Sequence, residues 1–398
     1  MSKWNEVRLG ELIDINPETL SVSKYNGKIQ YIDIASVNRG QLDGYTEYDI
    51  VDAPSRARRI IRNNDIIYST VRPNLRAYYY VKDCPDNAIC STGFAVLRAK
   101  ENVDSRFMYS LVTENSFVDY LSLVAKGSAY PAADTADFKK AKVAVPDLPT
   151  QKRIADILSA YDDLIENNNR RIALLEKAAQ ELYKEWFVRF RFPGYEATRF
   201  ENGLPEGWKR VRFRDVAEIG RGSSPRPISD QRYFENGNIP WIKIADATSS
   251  KIYIHSTKEY VNDYGASFSR KLPVGSLILA ASGTLGFPMF LAVEGCIHDG
   301  WLYFSDFEKK LSKYIYYVLM DLREVFNNVS YGAAIQNINT EIVRKSNIII
   351  PNDDILLKFN CYTEEMHNEI ISLQKKNQNL AEQRDLLLPR IMSGKLEV

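Results

Sequence analysis

The sequence predicts an α+β protein: two pseudo-repeated mixed α/β domains separated by an antiparallel coiled coil of two long helices. Three observations carry this. Residues 151–187, QKRIADILSAYDDLIENNNRRIALLEKAAQELYKEWF, form a long run without glycine or proline. On either side lie short apolar or alternating segments split by Gly/Pro loops, the pattern of strands. The second half of the chain also repeats the first, and such self-similarity decides architecture before any local reading does.

The repeat is traced segment by segment. WNEVRLGELIDI from Trp4 matches WKRVRFRDVAEI from Trp208, and YIDIAS from Tyr31 matches WIKIAD from Trp241. NDIIYSTVRPNLRAYYYV from Asn64 and GSLILAASGTLGFPMFLAV from Gly275 each read as apolar strand, polar loop, apolar strand. CSTGFAVLR opens at Cys90 and CIHDGWLYF at Cys296. KGSAYPAADTADFKKAKVAVP ends at Pro146 and YGAAIQNINTEIVRKSNIIIP at Pro351, an offset of 351 − 146 = 205. The same offset carries Ile154 to Phe359, Tyr161 to Met366, Ile165 to Ile370, Leu175 to Leu380 and Leu182 to Leu387. Each half is therefore a mixed domain followed by a long helix. The boundaries read as 1–149 for the first domain, 150–191 for the central helix, 192–353 for the second domain and 354–398 for the C-terminal helix.

A helix of this size spans roughly 55 Å at 1.5 Å per residue, more than one small domain covers. Ile154, Ile157, Tyr161, Leu164, Asn168, Leu175, Ala178 and Leu182 read as an a/d seam, broken at Arg171. Such a seam calls for a partner helix, and the C-terminal copy supplies one. Helices at about 152–190 and 355–392 are expected to pair antiparallel, with the mixed domains far apart at opposite ends. Asn168 falls on the seam, where a polar residue fixes register at a cost in stability. Asn167 and Asn169 are expected to face outward. The competing reading is a kink or loop at ENNNR.

Composition narrows the function. The chain has 398 residues, 45% hydrophobic and 26% charged, with net charge +1. That is an ordinary folded composition for two or three domains, without a global field that announces nucleic acid or membrane. Cys84, Cys90, Cys296 and Cys361 do not form the paired ligands of a structural zinc site, so no metal is expected. No apolar run approaches the ~20 residues of a membrane span, and the N-terminus MSKWNEVRLG reads as no signal peptide. A cytoplasmic protein with reduced thiols is expected.

No catalytic motif stands out. The chain has no P-loop, no G-x-G-x-x-G after a strand and no G-x-S-x-G, and no Asn-Pro-Pro-aromatic segment. His255, His298 and His367 are isolated in sequence. His298 stands beside Asp299, but such a histidine is more often hydrogen-bonded at a strand end. Asp162 and Asp163 are expected on a solvated helix face. What remains is local basic charge. Residues 53–76 hold Arg56, Arg58, Arg59, Arg62, Arg72 and Arg76 against Asp65. Residues 209–232 hold Lys209, Arg210, Arg212, Arg214, Arg221, Arg226 and Arg232 against Asp215, Glu218 and Asp230. Arginine suits phosphate and guanine edges. Basic runs in both halves of a repeat, beside Gly/Pro loops, point to nucleic acid.

These residues resemble the DNA-specificity subunit of type I restriction-modification systems. The likeness is carried by VAVPDLPTQKRIADIL, ELYKEWFVRFRFPGYE, LPEGWKRVRFRDVAEIGRGSSPRP and NLAEQRDLLLPRIMSGKLEV, and it runs the whole length. The second helix departs at its start, with PNDDILLKFNCYT in place of the LPTQKRIADIL form. The resemblance implies that each mixed domain is a target recognition domain reading half of a split asymmetric DNA sequence. It implies that the paired helices act as a ruler and dock two methylation subunits, which carry S-adenosylmethionine and flip out an adenine. Restriction subunits with motor and nuclease join, and this chain is non-catalytic, binding no cofactor itself.

Loops at equivalent places in the repeat then become the expected DNA contacts. In the first domain these are Arg56, Arg58, Arg59, Arg72, Asn74, Arg76, Lys126, Ser128 and Tyr130. In the second they are Arg221, Ser223, Arg226, Ser282, Thr284, Tyr331, Gln336 and Asn337. Two other readings compete. A stand-alone nuclease or methyltransferase would act without added subunits. A coiled-coil scaffold with two protein-binding modules would bind without the salt dependence that phosphate contacts impose.

Overall fold

The computed structural model describes residues 4–127, 129–249, 252–283, 285–330, 337–396 and 398. Two compact units emerge, Met1–Asn167 with Asn377–Val398, and Asn168–Lys376. Each holds one mixed domain and takes a part of both long helices.

In the first unit the strand Asn5–Arg8 pairs antiparallel with Lys142–Val145, Asn5 opposite Val145 and Arg8 opposite Lys142. One four-stranded sheet runs in the spatial order Ile13–Ile15, Phe94–Ala99, Ile66–Ser69, Tyr78–Tyr80. Another runs Thr46–Asp49, Lys28–Ile32, Ala88–Ser91, Ala57–Ile60. The second unit repeats this plan. Lys209–Arg212 pairs antiparallel with Asn347–Ile350. One sheet runs Glu218–Arg221, Trp301–Ser305, Leu277–Ala280, Pro288–Leu291 and adds Tyr253–Ile254 at its edge. The other runs Tyr260–Val261, Ile239–Ile242, Gly295–Ile297, Arg270–Leu272. Even the parallel pair recurs, Lys28–Ile32 with Ala88–Ser91 and Ile239–Ile242 with Gly295–Ile297. The segments matched in sequence thus occupy matched strands. Ile66–Ser69 and Leu277–Ala280 are buried at every residue, as continuous apolar runs covered on both faces must be.

Helix starts repeat as well. Asp134 caps Thr135–Lys140 by accepting from Asp137 N, and Asn339, 205 residues on, caps Thr340–Lys345 by accepting from Ile342 N. Asp147 accepts from Thr150 N at 3.0 Å and Asn352 from Ile355 N at 3.1 Å. Each satisfies an amide that the first helical turn leaves without a partner. The departure of the second helix from the first has a visible reason. Gln151 is buried, donates to Pro146 O and accepts from Asp104 N, tying the helix start to the domain. Its counterpart Leu356 is buried too and does the same by apolar contact.

Within each unit the two long helices, Leu148–Tyr183 and Asp353–Met392, run antiparallel. In the first, Ile154 and Leu158 share a core cluster with Ile391, Leu387 and Leu388, and Arg384 donates to Asp162 at 2.5 Å. In the second, Ile172 and Ala179 pack in one cluster with Ile370, Leu373 and Phe359, and Arg171 pairs with Glu369 at 2.6 Å. The expected antiparallel pairing is met. The helix passes ENNNR without a break, Asn168 is buried on the seam, and Asn167 is exposed while Asn169 is half-buried.

Three sequence expectations need correction. The seam read as Ile157, Leu164 and Ala178 is displaced: these are exposed, and Leu158, Ile172 and Ala179 are buried. The buried set advances by 4 residues from Ile154 to Leu158, by 4 from Asn168 to Ile172 and by 7 from Ile172 to Ala179. This is a helix-period stripe wide enough to face both the partner helix and a domain, where a strict heptad seam faces only the helix. Asp162 and Asp163 do not lie on a solvated face. Asp163 accepts from Lys82 at 2.6 Å and Arg106 at 3.0 Å, anchoring the helix to the first domain. Burial pushes the Asp162 carboxyl above its ordinary range against the pull of Arg384. Outward-facing Asn169 is the third, since it keeps only part of its surface in solvent.

The second domain is anchored differently. His367 of the C-terminal helix is fully buried among Tyr253, Phe290, Tyr316 and Tyr317. Tyr253 Oη lies 2.6 Å from Nδ1 and Tyr317 Oη 2.8 Å from Nε2. A neutral imidazole has one N–H and one acceptor, so one phenol donates and the other accepts. Burial pushes the His367 pKa down to about 3. A histidine whose folded pKa lies below its unfolded value near 6.5 costs nothing above that value. Its contribution is lost as pH falls from about 6.5 toward about 3, because the unfolded chain takes the proton first. We predict that denaturant unfolding of the second unit loses about 1 kcal/mol per pH unit below pH 6. His367→Phe is predicted to flatten that slope and to cost about 2–4 kcal/mol at pH 7.5, where it strands two buried phenols.

Candidate nucleic-acid interface

In the first domain the loops STVRPN and KGSAYP come together. Arg72 N donates to Pro131 O at 2.7 Å, Ala133 N to Thr70 O at 2.9 Å, and Val71 bridges Ala132. The Arg72 guanidinium lies 4.5 Å from the Tyr130 ring centroid and donates to Ala129 O at 3.0 Å. Arg72 and Arg76 both adopt left-handed backbone, φ 49° and 60°, flanking the turn Pro73–Leu75. This conformation is strained for a side chain with a Cβ, and such strain concentrates at functional sites. Tyr130 is 70% exposed despite its size. Asn74 and Lys126 are exposed beside it. Ser128 lies outside the described residues.

The arginines of residues 53–62 divide. Arg56 is exposed, and Thr92 N donates to its carbonyl at 2.8 Å while Thr70 N donates to Gly93 O at 2.9 Å. The turn at Thr92–Gly93 therefore ties Arg56 to the 70–76 loop. Arg58 and Arg59 are half-buried on Ala57–Ile60; Arg58 Nη1 donates to Ala57 O and Arg59 Nη1 to Thr19 Oγ1. Arg62 pairs with Glu18 at 2.6 Å, and Arg98 clasps both Glu18 and the buried Asp65. A charge count over 53–76 does not include Glu18, so the free positive charge there is smaller than the sequence suggests. Arg76 turns away from the other loop residues and donates to Asn115 Oδ1 at 2.6 Å.

In the second domain Arg221, Ser223, Arg226, Ser282 and Asn337 gather around one turn, 298–300. Arg221 Nε donates to Asp299 O at 2.7 Å and its Nη2 to Asn337 Oδ1 at 3.2 Å. Arg226 pairs with the Asp299 carboxylate. Ser223 N donates to Ile297 O at 3.2 Å. Ala281 N donates to Gly300 O and Ile338 N to Ala281 O, which seats Ser282 and Asn337 beside the same turn. Thr284, Tyr331 and Gln336 lie outside the described residues. Asp299 organises this cluster, a role that its place beside His298 in the sequence does not signal. His298 Nδ1 lies 3.0 Å from Gly300 N and 2.8 Å from the Asp299 carboxylate, and burial pushes its pKa down. It stabilises the turn.

The two clusters correspond. The strand after the turn is Phe94–Ala99 in one half and Trp301–Ser305 in the other, with Gly93 and Gly300 just before them. Thr70 N→Gly93 O and Ala281 N→Gly300 O are the same bond in each. Among the described residues no group of histidine, cysteine and carboxylate side chains is placed to hold a metal, and no helix is long and apolar enough to cross a membrane.

Comparison with known proteins settles the class. Residues 1–177 and 205–387 match the family model described as the type I restriction modification DNA specificity domain, and the chain belongs to this family. It is 24% identical to the type I restriction enzyme HindI specificity subunit of Haemophilus influenzae, across the whole of both chains. It is 27% identical to the MjaIX specificity subunit of Methanocaldococcus jannaschii, over 80% of this chain and 75% of that one. The crystal structure of the type I restriction-modification S subunit from M. genitalium shares the fold, with a TM-score of 0.56 over 98% of this chain and 96% of that one, at 14% identity. The protein is thus a specificity subunit of a type I restriction-modification system, a non-catalytic DNA-recognition component.

Gly222 shows how tightly the second cluster is built. A Cβ there would lie 2.3 Å from His298 O and 2.8 Å from Ile297 O, both backbone atoms. Gly222→Ala is predicted to destabilise the second unit by about 1–3 kcal/mol, measured by urea unfolding, because the 297–300 turn must move to admit the methyl group.

Proposed function

We propose that each mixed domain reads one half of a bipartite, asymmetric DNA target, and that the paired helices set the spacing and dock two methylation subunits. The observation that carries this reading is the duplication: Arg72 with Tyr130 in one half and Arg221 with Arg226 in the other stand beside equivalent turns. Guanidinium groups at such turns serve phosphates and guanine edges alike. S-adenosylmethionine belongs to the methylation subunits, this chain binding no cofactor, and restriction subunits complete the assembly in the cytoplasm. The boundaries near 149, 191 and 353 separate the reading domains from the spacing helices.

The reading loops are tested first. Arg72→Ala with Tyr130→Ala, in the complex with methylation subunits, is predicted to lower affinity for target DNA roughly tenfold and to reduce the salt slope by about 1. Unchanged affinity and slope would remove the loop from the interface.

The spacer is tested by insertion. Four residues near Asn168, matched by four in the C-terminal helix, add about one helical turn, ~6 Å and ~40° of rotation. A ~55 Å helix corresponds to at most roughly 15 base pairs between half-site centres, leaving an unread gap on the order of 5 to 8. Mapping of modified adenines is predicted to return the same half-sites with a gap longer by about two base pairs. Altered half-site letters with a fixed gap would make the helix part of the reader. A one-sided insertion is expected to perform worse, because it breaks the packing register.

A further inference from the structure

The first unit contains a partly enclosed cavity of about 130 Å³ between its domain and the long helices. Its lining includes Arg39, Arg76, Tyr109, Ser110, Asp162 and Arg384. The second unit fills the matching place with its own side chains. Helices Ser105–Thr113 and Ser312–Asp321 align at an offset of 207, with Phe107, Met108, Leu111 and Val112 buried where Tyr314, Ile315, Val318 and Leu319 are. Arg106 donates to Ser159 Oγ, and its counterpart Lys313 pairs with Glu364, the counterpart of Ser159 at offset 205. By the same offsets Ser110 stands where Tyr317 does, and Asp162 where His367 does. The edge strand Tyr253–Ile254 has no equivalent among the described strands of the first unit. The Tyr253–His367–Tyr317 plug is therefore absent there, and the cavity is the space it would occupy.

We propose that this cavity binds a small ring-bearing carboxylate, its ring in the place of the plug and its acid group on Arg39 and Arg76. The volume approaches the roughly 150 Å³ that admits benzene in an apolar cavity. Tyr78, Tyr109, Leu158 and Leu388 supply apolar walls for a ring. Gly40, at φ +82°, lets the Tyr109 hydroxyl come against the backbone: a Cβ would lie 2.6 Å from it. The lining carboxylates are already engaged. Arg384 holds Asp162 and Asp385, and Glu114 accepts from Ser116 N. Arg76 donates to the neutral Asn115 amide oxygen, and among the described residues neither Arg39 nor Arg76 forms an ion pair. Two guanidinium groups at one cavity, neither of them paired with a carboxylate, favour an anionic group on the ligand.

Titration of the full chain with benzoate, followed by calorimetry and amide NMR, tests this, with acetate and phenol as probes of each half of the ligand. Benzoate is expected to bind saturably, at least about tenfold more tightly than acetate or phenol, and to raise Tm by a few degrees at saturation. Ser110→Tyr, which imports the residue of the second unit, is expected to abolish binding. Thr113→Met, importing the counterpart Met320, fills the cavity from the next turn and decides the matter if the first variant does not fold. Absence of saturable benzoate binding up to about 10 mM, or binding that survives the filling variant, would overturn the site. Equal affinity for phenol would overturn the role of the arginines.

Discussion

Each long helix carries an apolar stripe longer than its own domain can cover, and the rest of the structure follows from that constraint. Exposing such a stripe is costly at about 25 cal/mol per Å², so the stripe must find a second helix. The chain provides one by duplication, and antiparallel pairing results within each unit. The stripe is wider than a coiled-coil seam because it also receives a domain. Ile154 and Leu158 meet the first domain and the far end of the C-terminal helix in one cluster, while Tyr183, Trp186 and Phe187 do the same in the second, with Phe187 and Tyr314 ring centroids 4.8 Å apart.

The two halves share a topology but hold their domains by different chemistry. In the first, Lys82 and Arg106 of the domain grip Asp163 of the long helix. In the second, an imidazole is enclosed by phenols and aromatic rings. Ion pairs of partly exposed side chains are screened by salt and contribute modestly. A satisfied buried network is less sensitive to salt but answers to protonation. A duplicated fold can in this way keep its geometry while its two joints respond to different conditions.

Much of this was legible in the sequence. Likeness between WNEVR and WKRVR, and between KVAVP and NIIIP, disclosed the repeat, because these segments pair with each other at the base of each domain. The long helices were visible from their unbroken apolar period. What escaped were the quantities that depend on three-dimensional neighbours. The seam was misplaced at Ile157 and Ala178, since a two-sided stripe and a heptad seam differ by a single residue per turn. Glu18 lies far in sequence from Arg62 and Arg98, so its neutralising role was invisible. Asp299 looked like half of a catalytic pair and turned out to organise Arg221 and Arg226. Asp162 and Asp163 read as solvent-facing because their partners come from residues 82, 106 and 384.

The central claim is that equivalent turns in the two halves face the same ligand. Hydrogen exchange of the chain, assembled with its methylation subunits, measured with and without duplex DNA carrying the target, tests it most directly. Protection is predicted in both halves at once, over 70–76 and 126–131 in the first and over 221–226 and 298–300 in the second. Protection confined to one half, or centred on the strands Asn5–Arg8 and Lys209–Arg212 at the helix side of each domain, would contradict it.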